Sequence, residues 1–398
     1  VGNKIELGWE PSFILFKRAT GGSGNWEMAD LMRGNPANDG TTQDARYVRA
    51  NTDGGEFDNR PFSPYSTGFD IRNSGGGSNA SGSDYIYIAI RIADGYVGKI
   101  PELGTSVFAM DAGSGSSTIP AFDSGFPVDF ALYKDIDTNA DWQAGSRSLG
   151  AKYFFTSGND SADGLASASA WQWDDSQGFF AASWASSDKQ AWMWKRHPGF
   201  DAVTYKGTGS NNTHIHSLNA TPQMMWVKRR DSSGQWYVYH FGANGGSTPQ
   251  NYFFQLNTTV SEQNQAIWNN APTSSVFSVS SDSNANTNNA YYIAMLFTSV
   301  EGISKVGYYD GSNSEQTITT GFQPRCVIIK CATAAEGWLV LDTTRGWGSG
   351  DDKGLFINTS DAQGSDQYGA PTSTGFTVVG NWNVINQSGK KYIYYAHS

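Results

Sequence analysis

One strand programme recurs four times along this chain, at a spacing of about 100 residues, which marks an array of domain-sized units rather than a short-period solenoid. Each copy opens on a Pro that leads into a β-branched or aromatic run ending in Lys. The Pro-to-Lys interval is six residues for Pro11/Lys17, Pro222/Lys228 and Pro324/Lys330, and seven for Pro127/Lys134. A Trp follows each Lys by eight or nine residues, at Trp26, Trp142, Trp236 and Trp338. Closing alanines fall at Ala89, Ala191, Ala294 and Ala396, which are 102, 103 and 102 residues apart, and they read as equivalent positions.

The runs between these landmarks are short and cut by Gly, Ser, Asn and Asp, the signature of strands and turns. Examples are Phe130–Lys134, Met224–Lys228, Phe253–Thr258 and Tyr392–Ala396. Further apolar runs at Ser106–Met110, Ala202–Tyr205 and Lys305–Tyr309 read as linking strands that open the next unit. Six or seven strands per repeat can close a two-sheet sandwich. The expected fold is therefore all-β: a tandem array of about four β-sandwich (jelly-roll or lectin-like) modules, spanning residues 1–98, 99–197, 198–301 and 302–398. Two repeats sharing one larger sandwich is the alternative.

Charge narrows the partners. Only 16% of residues are charged and the net charge is −10, whereas phosphate backbones call for a basic stripe. No nucleic-acid partner is expected, and no membrane insertion, because no apolar run reaches bilayer length. No signal peptide is visible and the chain starts at Val1, so it reads as a fragment or a processed product. The two cysteines, Cys326 and Cys331, are five residues apart on one predicted strand. They would face opposite sides, on the order of 16 Å apart, and are expected to be free thiols.

Several of these residues resemble a repeat of tail-fibre and adhesin proteins of tailed bacteriophages, of the marine and cyanobacterial type. The likeness is carried by Gly321–Pro324 with Lys330, by Asn257-Thr258 and Asn358-Thr359, and by Ala271–Ser274 and Pro371–Ser373. Asn386–Gly389 and Phe200–Gly207 complete it. It is close over residues 200–398 and weaker over the first two repeats. The resemblance implies a non-enzymatic structural and adhesive component of a virion appendage, assembled in the host cytoplasm and acting extracellularly. It implies no cofactor. The expected partners are other virion proteins, further copies of the chain in a trimer, and a host surface glycan or protein touched through loops. A capsid decoration or head-fibre protein is one rival reading; a cellular surface adhesin or the carbohydrate-binding module of an enzyme is another.

Candidate sites follow from residue chemistry. Six of the fourteen Trp fall in the second repeat, and sugars stack on exposed aromatic faces. Trp171, Trp173 and Trp184 are the favoured glycan-binding rings, with a large core as the competing reading. The polar loop carrying Ser281, Asp282, Asn284, Asn286 and Asn288 offers amides and hydroxyls instead. Asp135, Asp137, Asn139 and Asp141 have the alternate oxygen spacing of a calcium loop, but Ala140 and Ser146 stand where its Gly and Glu would be. An ordinary hairpin turn is the stronger reading there. His214 and His216 share a strand face about 6.6 Å apart, and an ordinary hydrogen-bonded strand start is preferred to a metal site. Nucleophile-elbow, zinc-protease and phosphate-loop patterns are missing.

Overall fold

The strand Cys326–Cys331 is apolar at nearly every position, and all six of its residues are buried. Such continuity means that the strand is covered on both faces. Cys326 and Ile328 join one cluster of side chains, whereas Val327, Ile329 and Cys331 join another on the opposite side. The two thiols thus point into different cores, and both are free. Strands Phe130–Asp135 and Met224–Arg229 divide in the same way. This two-sided burial organises the molecule.

The structure is a computed structural model and describes residues 3–33, 37, 46–58, 62–71, 78–93, 95, 97–161, 171–181, 188–348 and 350–398. It is nearly all β, and the described residues form eight antiparallel sheets. They fall in four pairs along the chain, each a sheet of five or six strands facing one of two or three. Every larger sheet has the same centre: a Lys strand flanked by a Trp strand and a closing strand. In the third repeat Met224–Arg229 lies between Trp236–His240 and Tyr291–Phe297. In the fourth, Cys326–Cys331 lies between Trp338–Asp342 and Lys391–His397. The linking strands Phe108–Ala112, Phe200–Lys206 and Ser304–Asp310 flank the closing strands of the second, third and fourth units. Each sandwich closes within its own stretch of chain, so the shared two-repeat sandwich does not form.

The closing alanines are not a common ruler. Lys228 pairs with Ile293 and Lys330 with Ile393, intervals of 65 and 63 residues. The fourth repeat is therefore two residues shorter between these strands. Its counterpart of Ala294 is Tyr394, and Ala396 matches Leu296.

Inside each sandwich lies a separate core, built around Phe16 and Phe69, Phe179 and Tyr133, Phe277 and Tyr292, or Phe376 and Tyr392. The outer faces of the large sheets of units two, three and four do not meet solvent. They merge into one further core, which includes Trp194, Trp226, Phe297 and Tyr395. The landmark tryptophans, expected inside the sandwiches, belong to this shared core. The Trp142 indole donates to Phe356 O at 3.0 Å, Trp236 to Phe155 O at 2.9 Å and Trp338 to Gln255 O at 2.9 Å. Each bond reaches the edge strand of a neighbouring unit, so the second unit leans on the fourth, the third on the second and the fourth on the third.

The lysines close the same ring. Lys134, Lys228 and Lys330 are fully buried. Lys134 Nζ donates to Thr138 O at 3.1 Å, Ala140 O at 2.5 Å and Ser360 O at 3.0 Å. Lys330 Nζ donates to Thr259 O, Ala334 O and Glu336 O at 3.1, 3.4 and 2.7 Å. Lys228 Nζ reaches Gly234 O at 2.7 Å and Asn159 O at 3.1 Å. An ammonium has three donors, and each of these takes one carbonyl from another unit. The first unit stands outside the ring. A buried ion network holds it there, with Arg196 Nη2 3.0 Å from Glu10 and Arg196 Nε 3.1 Å from Asp201.

Two outcomes follow. Trp338→Ala removes a large buried ring and a bond between units, and should cost about 3–5 kcal/mol in urea unfolding. The second concerns pH. Burial pushes His197 and His240 down to about 3 from the ordinary 6.5. Unfolded imidazoles take up protons that the folded ones refuse. Their contribution to stability is therefore complete above pH 6.5 and is lost as pH falls toward 3, by up to about 1.4 kcal/mol per pH unit for each ring. Thermal melts at pH 7, 5 and 4 should show the decline, and His240→Gln should flatten it.

Candidate functional site

The expected glycan-stacking rings do not present faces to solvent. Trp171 and Trp173 are each 2% exposed and lie in the inner core of the second unit. Trp171 stacks on Phe179 with centroids 5.1 Å apart, and the Trp173 indole donates to Gly150 O at 2.7 Å. A Cβ on Gly145 would come 2.5 Å from the Trp171 ring, so glycine is needed opposite it. An apolar bilayer of two sheets has room for these rings only inside, which corrects the surface reading. Trp184 lies outside the described residues.

The four oxygen-bearing residues of the 135–141 turn are committed elsewhere. Asp135 pairs with Lys189. Asp137 Oδ1 accepts from Gln363 Nε2 at 3.0 Å, and Asn139 Oδ1 from the Ala362 amide at 3.0 Å. Asp141 Oδ1 accepts from Ser157 Oγ at 2.6 Å. The turn is a bridge to the fourth unit. Among the described residues no group of three or more His, Cys, Asp or Glu is placed to hold a metal ion.

The polar loop of the third unit splits into structural and exposed parts. Asn286 is fully buried: its Nδ2 donates to Ser210 O at 2.6 Å and Ser280 O at 2.7 Å, while its Oδ1 accepts from the Thr208 amide at 2.8 Å. Asn386 makes the corresponding clasp in the fourth unit, so Asn286 is a fastener rather than a contact residue. Asp282 caps the short helix Ser283–Asn286 through the Asn284 amide at 2.8 Å. These bonds fix the loop in advance, contrary to the expectation that binding would have to immobilise it. Ser281, Asn284 and Asn288 remain exposed.

Asn288 leads to the cleft that sequence reasoning missed. Between the first and third units lies a cavity of about 780 Å³. The first unit contributes Lys4, Glu6, Tyr65, Thr67 and Asp70; the third contributes Tyr205, Lys206, His214, Asn288 and Tyr291. The two walls are more than 130 residues apart in sequence, and no local pattern announces their meeting. The exposed Lys and carboxylate residues balance in charge, two against two. Lys4 lies over the Tyr65 ring at 4.9 Å and Lys206 over Tyr291 at 5.5 Å. The Tyr65 hydroxyl donates to Ile5 O at 3.2 Å, and burial pushes its phenol pKa up.

His214 is the chemically distinctive member. Its ring stacks on Tyr205 at 4.0 Å, and burial pushes it down to about 4, so it is neutral at physiological pH. Its Nε2 is buried without a hydrogen-bond partner at the wall of the cleft. Buried polar atoms are ordinarily paired, and a neutral imidazole nitrogen can donate to or accept from a hydroxyl. His216 points the same way along the chain but is buried, with Nε2 3.2 Å from Thr273 O. The two rings therefore do not form a shared ligand pair.

Residues 2–93 and 155–398 match a family described as a domain of unknown function (DUF7483), and the chain belongs to that family. No curated protein matches it.

Proposed function

We propose that this DUF7483 chain is a non-catalytic structural and adhesive protein of a virion appendage, of the tail-fibre kind its repeats resemble, and that it holds neutral glycan groups of a host surface in the cleft between the first and third units. The unpartnered His214 nitrogen carries this reading. It sits beside tyrosine rings and the Asn288 amide, in a cleft whose charges cancel. Neutral hydroxyl-rich ligands suit that lining better than phosphates or cations do, because aromatic faces take their C–H surfaces and convergent polar groups take their hydroxyls. The ring of three units supplies a rigid support for the third unit's wall. Repetition in an assembled virion would turn weak single contacts into firm attachment.

Saturation-transfer NMR against a panel of neutral mono- and oligosaccharides, followed by host-cell attachment assays, tests the proposal. The double variant His214→Ala/Asn288→Ala should bind at least about 10-fold more weakly, the value of one lost hydrogen bond to a buried polar group, with an unchanged melting temperature. Binding and attachment equal to the parent's would rule the cleft out.

A further inference from the structure

We infer that the outer face of the first unit's large sheet is an assembly surface, and that its occupant is the same face of two further copies of this chain around a threefold axis. The inference is independent of the glycan-cleft reading, because the cleft lies on the other sheet of that unit.

The observation is a difference between equivalent faces. In units two, three and four the outward-pointing residues of the Lys strand are Phe130 and Leu132, Met224 and Trp226, and Cys326 and Ile328, and all are buried in the shared core. The closing strands add Trp192 and Trp194, Ile293 and Met295, and Ile393 and Tyr395 to it. The first unit keeps the same chemistry at the same positions. Pairing of Lys17 with Ile86, Leu15 with Ile88 and Phe13 with Ile90 sets these residues on its outer face. There, Ile86, Ile88 and Ile90 are 50%, 56% and 55% exposed. Three isoleucines in a row on an exposed strand form an apolar stripe of the sort that marks an interaction site.

The edge is open as well. Tyr85–Arg91 is the last strand of its sheet, whereas its counterparts are flanked by linking strands. A long apolar edge strand is a pairing hazard that folded proteins cover.

The landmark polar groups agree. Lys17 Nζ donates to Gly24 O at 2.9 Å, within its own unit. Among the described residues it receives no carbonyl from another unit, as Lys134, Lys228 and Lys330 each do. Trp26 is only partly buried, whereas Trp142, Trp236 and Trp338 donate across unit boundaries. The first unit thus carries the apolar face, the lysine and the indole of the ring, but no neighbours. Within the chain this face has been closed by three like units about a pseudo-threefold axis, and three first units from three chains reproduce that arrangement.

Sedimentation velocity and light scattering on the full chain from 1 to 100 µM test the inference. The parent should be a trimer. Ile88→Arg/Ile90→Asp should raise the trimer dissociation constant at least 100-fold, giving monomers with an unchanged circular dichroism spectrum. If that variant does not fold, Ile88→Ser serves instead and should weaken the trimer in the same direction. A monomeric parent at 100 µM overturns the inference. A dimer overturns its threefold form, and a trimer indifferent to the substitutions overturns the assigned surface.

Discussion

A buried ammonium must find acceptors for three protons, and in this molecule one unit does not supply them all. Lys134, Lys228 and Lys330 each take one carbonyl from a different sandwich. The landmark tryptophans repeat the constraint, since each indole finds its acceptor on a neighbour's edge strand. Breaking the ring would leave three charges and three indole donors facing apolar side chains, a severe penalty. The apolar area supplies the driving force; these polar bonds fix which faces meet and in what order.

This arrangement explains the composition of the strands. A sandwich with one solvated face alternates apolar and polar residues, but the central strands of units two to four are apolar on both faces because both are covered. The first unit obeys the alternation no better, yet one of its faces is open. Its surface is therefore out of keeping with its exposure, and that mismatch singles it out.

Much of the fold was legible in the sequence. The Lys and Trp landmarks fall at equivalent places because they are tied to one local motif, a strand, a turn and a return strand. The alanines misled because they lie far from that motif, and a two-residue difference in the intervening loops shifts Ala396 against Ala294. Trp171 and Trp173 look the same in sequence whether they line a core or a surface, since period-two spacing gives a shared face but not which face it is. The cleft was illegible for a different reason. Tyr65 and His214 are brought together only by the docking of the first unit, which rests on the Glu10–Arg196–Asp201 network. Of the loop residues singled out in advance, Asn288 does line that cleft, while Asn286 is spent on holding the loop.

Segment-resolved hydrogen–deuterium exchange on a Trp236→Ala variant tests most directly whether units two to four are one cooperative body. The shared core predicts that strands Phe130–Asp135, Met224–Arg229 and Cys326–Cys331 lose protection together and at similar rates, because each belongs to the same closed ring. Loss confined to the third unit, with the second and fourth as protected as in the parent, would contradict it.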